Sequence, residues 1–249
     1  MKAFAIFCIL VTATALLGQT KPAPGAPKPL ENTLGMKLLP VPGTRVMFSV
    51  WETRVRDYQA FATETRREWT RPDFVQTPDD PVVNVSWDDA AAFCQWLTAR
   101  EHKTGRLTEK QRYRLPTDAE WSVAVGLGPE RGRTPEDRLQ TSVVWPWGHT
   151  WPPKPGDGNY ASELRADKFT NTSPVGSFKP NACGIFDLGG NVWEWCDDWY
   201  NDARVTKPLR GGSFHDSQPK DLLAAYRFSG TMNLSNEDIG FRIVLETRE

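Results

Sequence analysis

The chain has 249 residues with 30 basic and 31 acidic side chains, which gives a net charge of −1. This balance provides no electrostatic attraction to nucleic acid or acidic membranes, so we expect no nucleic-acid partner. Eleven tryptophans and twenty prolines are typical of an irregular, loop-rich domain held by aromatic packing. They argue against a helical bundle or a doubly wound sheet. The length is sufficient for one domain with a full core.

The N-terminus has the pattern of an export signal. Lys2 supplies a positive end, and residues 3–18 form an apolar run that is short for a spanning helix. We expect residues 1–20 to be a signal peptide, either cleaved or kept as an N-terminal anchor, with no further membrane span. The protein would then be periplasmic or extracellular. Residues 21–32 predict a Pro-rich linker, and residues 33–249 the folded domain.

The first predicted elements are short and separated by loops. Residues 48–51 predict a strand, and the apolar spacing over residues 55–65 predicts a helix. Residues 66–80 are polar and Pro-bearing, which indicates a loop. Residues 82–85 predict a second short strand.

Two further helices have clear start signals. Ser86 can cap one helix, whose buried stripe is expected to contain Ala90, Phe93, Cys94 and Leu97. Residues 117–120 form a capping box for another helix, with Trp121 turned inward. Residues 126–142 indicate a surface loop. Beyond Trp145 short strands and turns are expected, up to a closing strand over residues 241–245.

The three cysteines beyond the signal leave the redox state open. Cys94, Cys183 and Cys196 could contain one disulfide, with Cys183 and Cys196 as the candidate pair. The alternative is a set of unpaired, buried thiols.

Glu194 lies between Trp193 and Trp195, in the Gly-Gly-Asn-Val-Trp-Glu-Trp stretch of residues 189–195. An unpaired charge among indoles is costly. A bound cation or a buried basic partner must compensate it. The candidate basic partners are Arg210, Arg227 and Arg242.

Seven motifs occur in one order along the chain. They span residues 84–90, 113–121, 146–148, 173–176, 190–195, 210–214 and 240–242. Together they resemble the formylglycine-generating enzyme family, also called the sulfatase-modifying factor family, over roughly residues 33–246. The resemblance implies a single α+β domain, related to C-type lectins, with little regular secondary structure.

The resemblance also implies two calcium sites. The first would use Asn159, Tyr160, Asp167 and Phe169, and the second would use Asp187, Gly190, Val192 and Glu194. Calcium prefers carboxylate, amide and backbone carbonyl oxygens, which both sets supply. The family pattern usually has Asn at the position of Asp187.

The active members of this family hold copper(I) with two cysteines just after the Gly-Gly-Ser-aromatic motif. The corresponding residues here are Asp216 and Asp221, and no cysteine follows Cys196. Carboxylates are hard ligands that do not replace thiolates for copper(I). We therefore expect neither copper binding nor formylglycine formation. With His215, the two aspartates form either a metal site or a solvated turn, and the loose spacing favours the turn.

Many relatives pair a cysteine at the position of Cys94 with one in the closing strand. This chain has Ile243 there, so that bridge cannot form.

Two functions remain in competition. The first is a calcium-stabilised, non-catalytic binding or scaffold module with a protein or glycan partner. Its exposed surface over residues 200–238 would include Asp202, Arg204, His215, Gln218, Lys220, Phe228, Met232 and Asn233. The second is a family enzyme with a different reaction, an oxidoreductase or a maturation factor for a partner protein. A pocket with converging His and carboxylates beside Ser213 would favour the enzyme, and a flat or filled surface would favour binding.

Overall fold

The computed structural model describes residues 29–138 and 143–248, so the predicted signal over residues 1–20 lies outside the described residues. Helices α1, α2 and α3 span Val55–Thr65, Trp87–Lys103 and Asp118–Val125. Short 3-10 turns cover Glu136–Arg138 and Ser162–Leu164. No helix in the described part of the chain is long and apolar enough to cross a membrane.

The strands form two small sheets. In chain order they are β1 (Leu30–Glu31), β2 (Lys37–Pro40), β3 (Val46–Ser49), β4 (Gln111–Arg114), β5 (Trp193–Trp195), β6 (Thr206–Arg210), β7 (Phe228–Thr231), β8 (Ile239–Gly240) and β9 (Val244–Thr247). The first sheet has the order β1-β2-β3-β9-β4 and is antiparallel. The second has the order β7-β6-β5-β8, with β5 and β8 parallel. The predicted α+β fold, low in regular structure, is confirmed.

The predicted helices also form as expected. The α1 bounds match the prediction, and Ser86 caps α2 because its Oγ accepts a hydrogen bond of 3.1 Å from the Asp89 amide. Thr117 and Glu120 form the predicted capping box of α3. Trp121 is fully buried, as predicted. The capping signals therefore locate the helix starts correctly.

The predicted strand over residues 82–85 is wrong. Val82 donates to the Thr53 carbonyl at 2.8 Å, but Asn84 has a φ of 56° and donates to the Asn236 carbonyl at 2.9 Å. A left-handed residue interrupts the extended backbone that a ladder requires. The segment is apolar because it crosses the core, where Val82, Val83 and Val85 are fully buried.

Three element boundaries also differ from the prediction. β1 begins at Leu30, inside the predicted linker 21–32, and pairs with β2 through Leu30 and Leu38. The strand predicted over residues 48–51 forms as β3, two residues earlier, and the predicted closing strand begins only at Val244. These ends depend on tertiary partners that local patterns do not contain.

The three cysteines are free thiols, so the Cys183–Cys196 disulfide does not form. Cys94 and Cys196 are buried, whereas Cys183 is half-buried. Cys94 packs in the larger core cluster with Phe93, Phe241 and Ile243.

Candidate functional site

The β5 strand places Glu194 in the protein core, where only 1% of its surface is exposed. Its carboxylate accepts two hydrogen bonds of 2.6 Å from Arg242, one from Nε and one from Nη2. Trp121 donates a third bond of 2.9 Å through its indole nitrogen. Arg242 is therefore the buried basic partner that the sequence left open, and it compensates the charge of Glu194.

The other two candidate arginines serve a different carboxylate. Arg210 and Arg227 both pair with Asp118, which is fully buried at the start of α3. Burial disfavours the charged form of Asp118, but the two guanidinium groups outweigh it and bring its pKa down to about 2. Glu130 binds Arg227 from the other side. This network connects α3 to β6 and to the segment before β7.

Three carboxylates surround Arg242. Glu52 is fully buried, and its Oε2 accepts a bond of 2.9 Å from Asn191, while Oε1 has no hydrogen-bond partner. Asp187 accepts a bond of 2.7 Å from the Gly176 amide. If all three carboxylates were ionised, the group with Arg242 would carry a net charge of −2, which burial and mutual repulsion oppose. Burial, followed by repulsion from Asp187 and Glu194, raises the pKa of Glu52 well above its ordinary value. Burial raises the pKa of Asp187 to about 6.

The first predicted calcium set comes together in one loop region. Asp167 accepts from the amides of Tyr160 and Phe169 at 3.1 and 2.7 Å. The side-chain nitrogen of Asn159 donates to the Asn171 carbonyl at 2.8 Å, whereas Asn159 Oδ1 is buried without a partner. A buried amide oxygen without a donor suits a cation. These four residues therefore fit the ion that the resemblance implies.

The second predicted set fits in part. Asp187 is near enough to the buried Glu52 carboxyl to raise its pKa, and Glu52 Oε1 has no hydrogen-bond partner. The Glu194 carboxylate, however, is already held by Arg242 and Trp121. Within residues 29–138 and 143–248, no three His, Cys, Asp or Glu side chains form a metal-holding group. An ion at either set would therefore combine one carboxylate, of Asp167 or Asp187, with backbone or amide oxygens, and both sets stay predictions.

Asn191 joins the two sets. Its backbone amide donates to the Asn159 carbonyl at 2.8 Å, and its Oδ1 accepts from Asn159 Nδ2 at 3.1 Å. The same Oδ1 accepts from the Ser173 amide at 2.9 Å. Its side-chain nitrogen reaches Glu52, as described above. One buried asparagine therefore fixes the loops that carry both predicted sets.

Asp216 and Asp221, which the resemblance aligns with the copper cysteines, lie in and after the turn that follows Ser213. Asp216 Oδ2 accepts from the Ser213 amide at 2.8 Å and from the Ser213 hydroxyl at 2.7 Å. Burial, then repulsion from Asp238 and Asp221, raises the pKa of Asp216. The Asp221 amide donates to the Gln218 carbonyl at 3.1 Å, and burial followed by the negative charge of Asp221 raises the pKa of Tyr226. The predicted turn is confirmed by the Ser213-to-Asp216 bonds.

His215 stays at the rim of this turn. Its ring is 48% exposed and its nitrogens lie 3.9 Å from Glu237 and 4.0 Å from Asp238. These separations exceed hydrogen-bond distance. The remaining surface residues predicted over 200–238 are exposed except Met232, which is half-buried.

Sequence reasoning missed Glu52, Asp118 and the linking role of Asn191. Glu52 directly follows the predicted strand 48–51, and Asp118 lies inside the predicted capping box. Their local patterns explain them as strand-end and helix-start residues. The only sequence signal was that these polar residues lie among residues that are usually buried. The sequence does not show which distant residues they contact.

The seven motifs, the small curled sheets and the turn after Ser213 define a protein of the formylglycine-generating enzyme fold. The family described as sulfatase-modifying factor enzyme 1-like domain matches residues 19–247, and the chain belongs to it. A formylglycine-generating enzyme of Thermomonospora curvata is 31% identical over 236 residues, covering 81% of this chain and 67% of that protein.

Two other relatives place the chain more broadly. The inactive C-alpha-formylglycine-generating enzyme 2 of Mus musculus is 34% identical over 172 residues, covering 65% of this chain and 48% of that protein. The solved structure of PvdO from Pseudomonas aeruginosa is similar with a TM-score of 0.60 at 22% identity, covering 81% of this chain and 80% of PvdO. The family thus contains both active and inactive members. The likeness to PvdO concerns the fold alone.

Proposed function

We propose that this protein is an exported, calcium-stabilised binding or scaffold module that does not generate formylglycine. The observation that supports it is the identity and bonding of Asp216 and Asp221. The resemblance aligns both with the copper cysteines, and Asp216 accepts hydrogen bonds from the Ser213 amide and hydroxyl. Copper(I) chemistry requires soft ligands, which two carboxylates do not supply. The similarity to an inactive mouse relative is consistent with this proposal.

Calcium would hold the module's loops together. The first ion would be held by the side chains of Asn159 and Asp167 and the carbonyls of Tyr160 and Phe169. These carbonyls accept no hydrogen bond within the described residues. A second ion would use Asp187 and the carbonyls of Gly190 and Val192, with Glu194 paired to Arg242 behind them. Calcium would add charge neutralisation and crosslink loops that otherwise have few backbone partners.

A specific observation supports an alternative function, a family enzyme with another reaction. The Ser213 hydroxyl lies 2.7 Å from Asp216 and 3.2 Å from Asp238, and one oxygen of Asp238 is buried without a partner. Burial raises the pKa of Asp216, so this carboxyl could carry a proton near the hydroxyl. Ser213→Ala would then abolish turnover of a substrate, whereas a purely structural hydroxyl would only lower the stability of the turn.

The test of lost activity uses purified protein, copper and a sulfatase-type cysteine peptide. We expect no aldehyde in the peptide by mass spectrometry. The Asp216→Cys/Asp221→Cys variant restores two thiols and serves as the matched control for copper(I) uptake. Aldehyde formation by the wild-type protein would refute the proposal.

The test of calcium stabilisation compares melting temperatures with chelator and with calcium. We expect chelation to lower the melting temperature and calcium to restore it. Asp167→Asn should weaken this response, whereas Asp157→Asn in the same loop should not, because Asp157 only accepts from the Lys154 amide. Identical melting curves with chelator and calcium would remove calcium from the proposal. Export is tested by N-terminal sequencing of protein recovered outside the cytoplasm.

A further inference from the structure

A broad groove lies beside the first predicted calcium loop. It has a volume of about 670 Å³ and is lined by three short stretches of the chain, residues 155–156, 165–169 and 177–179. This size falls within the range of about 300–1,000 Å³ that is usual for small-ligand sites. We call it the basic–aromatic groove; of its lining residues, Asp167 and Phe169 also belong to the first predicted calcium set.

The groove is positively charged in a protein whose net charge is −1. Its lining contains Arg165, Lys168 and Lys179, against one carboxylate, that of Asp167. None of the three basic side chains forms an ion pair within the described residues. All three are exposed. The Asp167 carboxylate accepts hydrogen bonds from the backbone amides of Tyr160 and Phe169, and its single negative charge offsets only one of the three positive charges. The groove therefore favours an anionic ligand.

The floor of the groove is aromatic. Phe169 and Phe178 pack edge to face with centroids 6.2 Å apart, and both rings are half-buried. Lys168 lies 5.7 Å above the Phe169 ring. Half-exposed ring faces beside cations suit a ligand that has both apolar faces and negative groups.

The surrounding backbone disfavours an extended peptide. Residues 155–179 contain one short 3-10 turn and no β-strand. Peptides that bind in extended form usually add a strand to an exposed sheet edge, which this part of the chain lacks. A pyranose ring brings apolar C–H faces and presents carboxylates or sulfates in fixed positions.

We infer that the basic–aromatic groove binds an acidic oligosaccharide, whose negative groups pair with Arg165, Lys168 and Lys179 and whose rings pack on Phe169 and Phe178. This inference rests on the proposed binding role and names its ligand class. It does not depend on whether the protein binds copper. Since the charged contacts are exposed, binding should weaken as salt rises.

The experiment is calorimetric titration of the calcium-containing full-length protein with a short oligogalacturonate. The same oligosaccharide as its neutral methyl ester is the matched probe. We expect binding of the acidic form, no measurable binding of the ester, and a weaker affinity at high salt. Lys168→Ala/Lys179→Ala should weaken binding about fivefold or more. Lys103→Ala, at the exposed end of α2, should have no effect.

Three outcomes would overturn the inference. They are absence of oligogalacturonate binding, equal binding of the ester, and unchanged affinity in the double lysine variant. If polyglutamate of matched charge binds as tightly as the oligosaccharide, the ligand class would be an acidic peptide and not a carbohydrate. Phe178→Leu keeps an apolar side chain but removes the flat ring face, so it should still weaken binding of the oligosaccharide. The copper and calcium tests are independent of this titration. A negative result here is therefore distinguishable from failure of the proposed function.

Discussion

Asn159 and Asn191 are joined twice, once from the Asn191 backbone amide to the Asn159 carbonyl at 2.8 Å and once between their side chains at 3.1 Å. Both residues are buried, with 1% of their surface exposed. The pair connects the loop before the second 3-10 turn to the loop that leads into β5. It fixes the Asn159 amide so that its oxygen, not its nitrogen, is left without a partner.

Replacing Asn191 should separate side-chain from backbone effects. Asn191 has a φ of 63°, a conformation that glycine adopts freely and alanine does not. Asn191→Gly should destabilise the protein because Glu52, Ser173 and Asn159 lose a partner. Asn191→Ala should be about 1 kcal/mol less stable again, owing to left-handed strain. Urea unfolding of both variants measures the difference. Equal stability would show that the backbone conformation is relaxed in the alanine variant.

Breaking the pair of Glu194 and Arg242 should be severe. Arg242→Met leaves a carboxylate buried beside Glu52 and Asp187, and we expect a loss of about 3–5 kcal/mol. The exposed pair of Arg133 and Asp202 is the control, since solvent screens this pair and Arg133→Met should leave the stability nearly unchanged. Free energies of unfolding from denaturant titration give both values. A small loss in Arg242→Met would mean that Glu194 is protonated or otherwise compensated.

Asp118 should make the protein sensitive to acid. Its folded pKa is about 2, below the ordinary value of about 3.9 for Asp. The folded state therefore binds fewer protons than the unfolded state between these pH values, and stability falls as pH drops through this window. The contribution present above pH 4 is about 2–3 kcal/mol.

The measurement is the free energy of unfolding between pH 5 and pH 2 for the wild type and for Asp118→Asn. We expect the variant to be less stable at pH 5 and to lose less on acidification. Asp202→Asn, whose carboxylate is exposed, should follow the wild-type curve. Parallel curves for wild type and Asp118→Asn would exclude Asp118 as the source of acid sensitivity.

The turn after Ser213 should depend on Asp216 for stability. Asp216→Ala leaves the buried amide and hydroxyl of Ser213 without this acceptor, and an unsatisfied buried donor costs about 1–3 kcal/mol. Asp73→Ala, at an exposed position without such bonds, is the control. Thermal unfolding of both variants checks the difference. A gain in stability for Asp216→Ala would instead identify Asp216 as a strained, functional carboxylate.

Local sequence determined the helices and the family. Helix starts are readable because capping residues act within one turn of the chain, as Ser86 and Thr117 do. The family is readable because its motifs keep their order.

Only the tertiary structure decided which charges meet. The sequence offered Arg210, Arg227 and Arg242 as equal partners for Glu194. In the structure β8 pairs with β5, and Arg242, which follows β8, therefore reaches the Glu194 carboxylate. The same folding placed Glu52 beside Asp187 and bent residues 82–85 out of a strand. Pairing of buried charges is decided by contacts between distant segments, since desolvation makes each buried charge depend on whichever opposite charge the fold brings within a few ångströms.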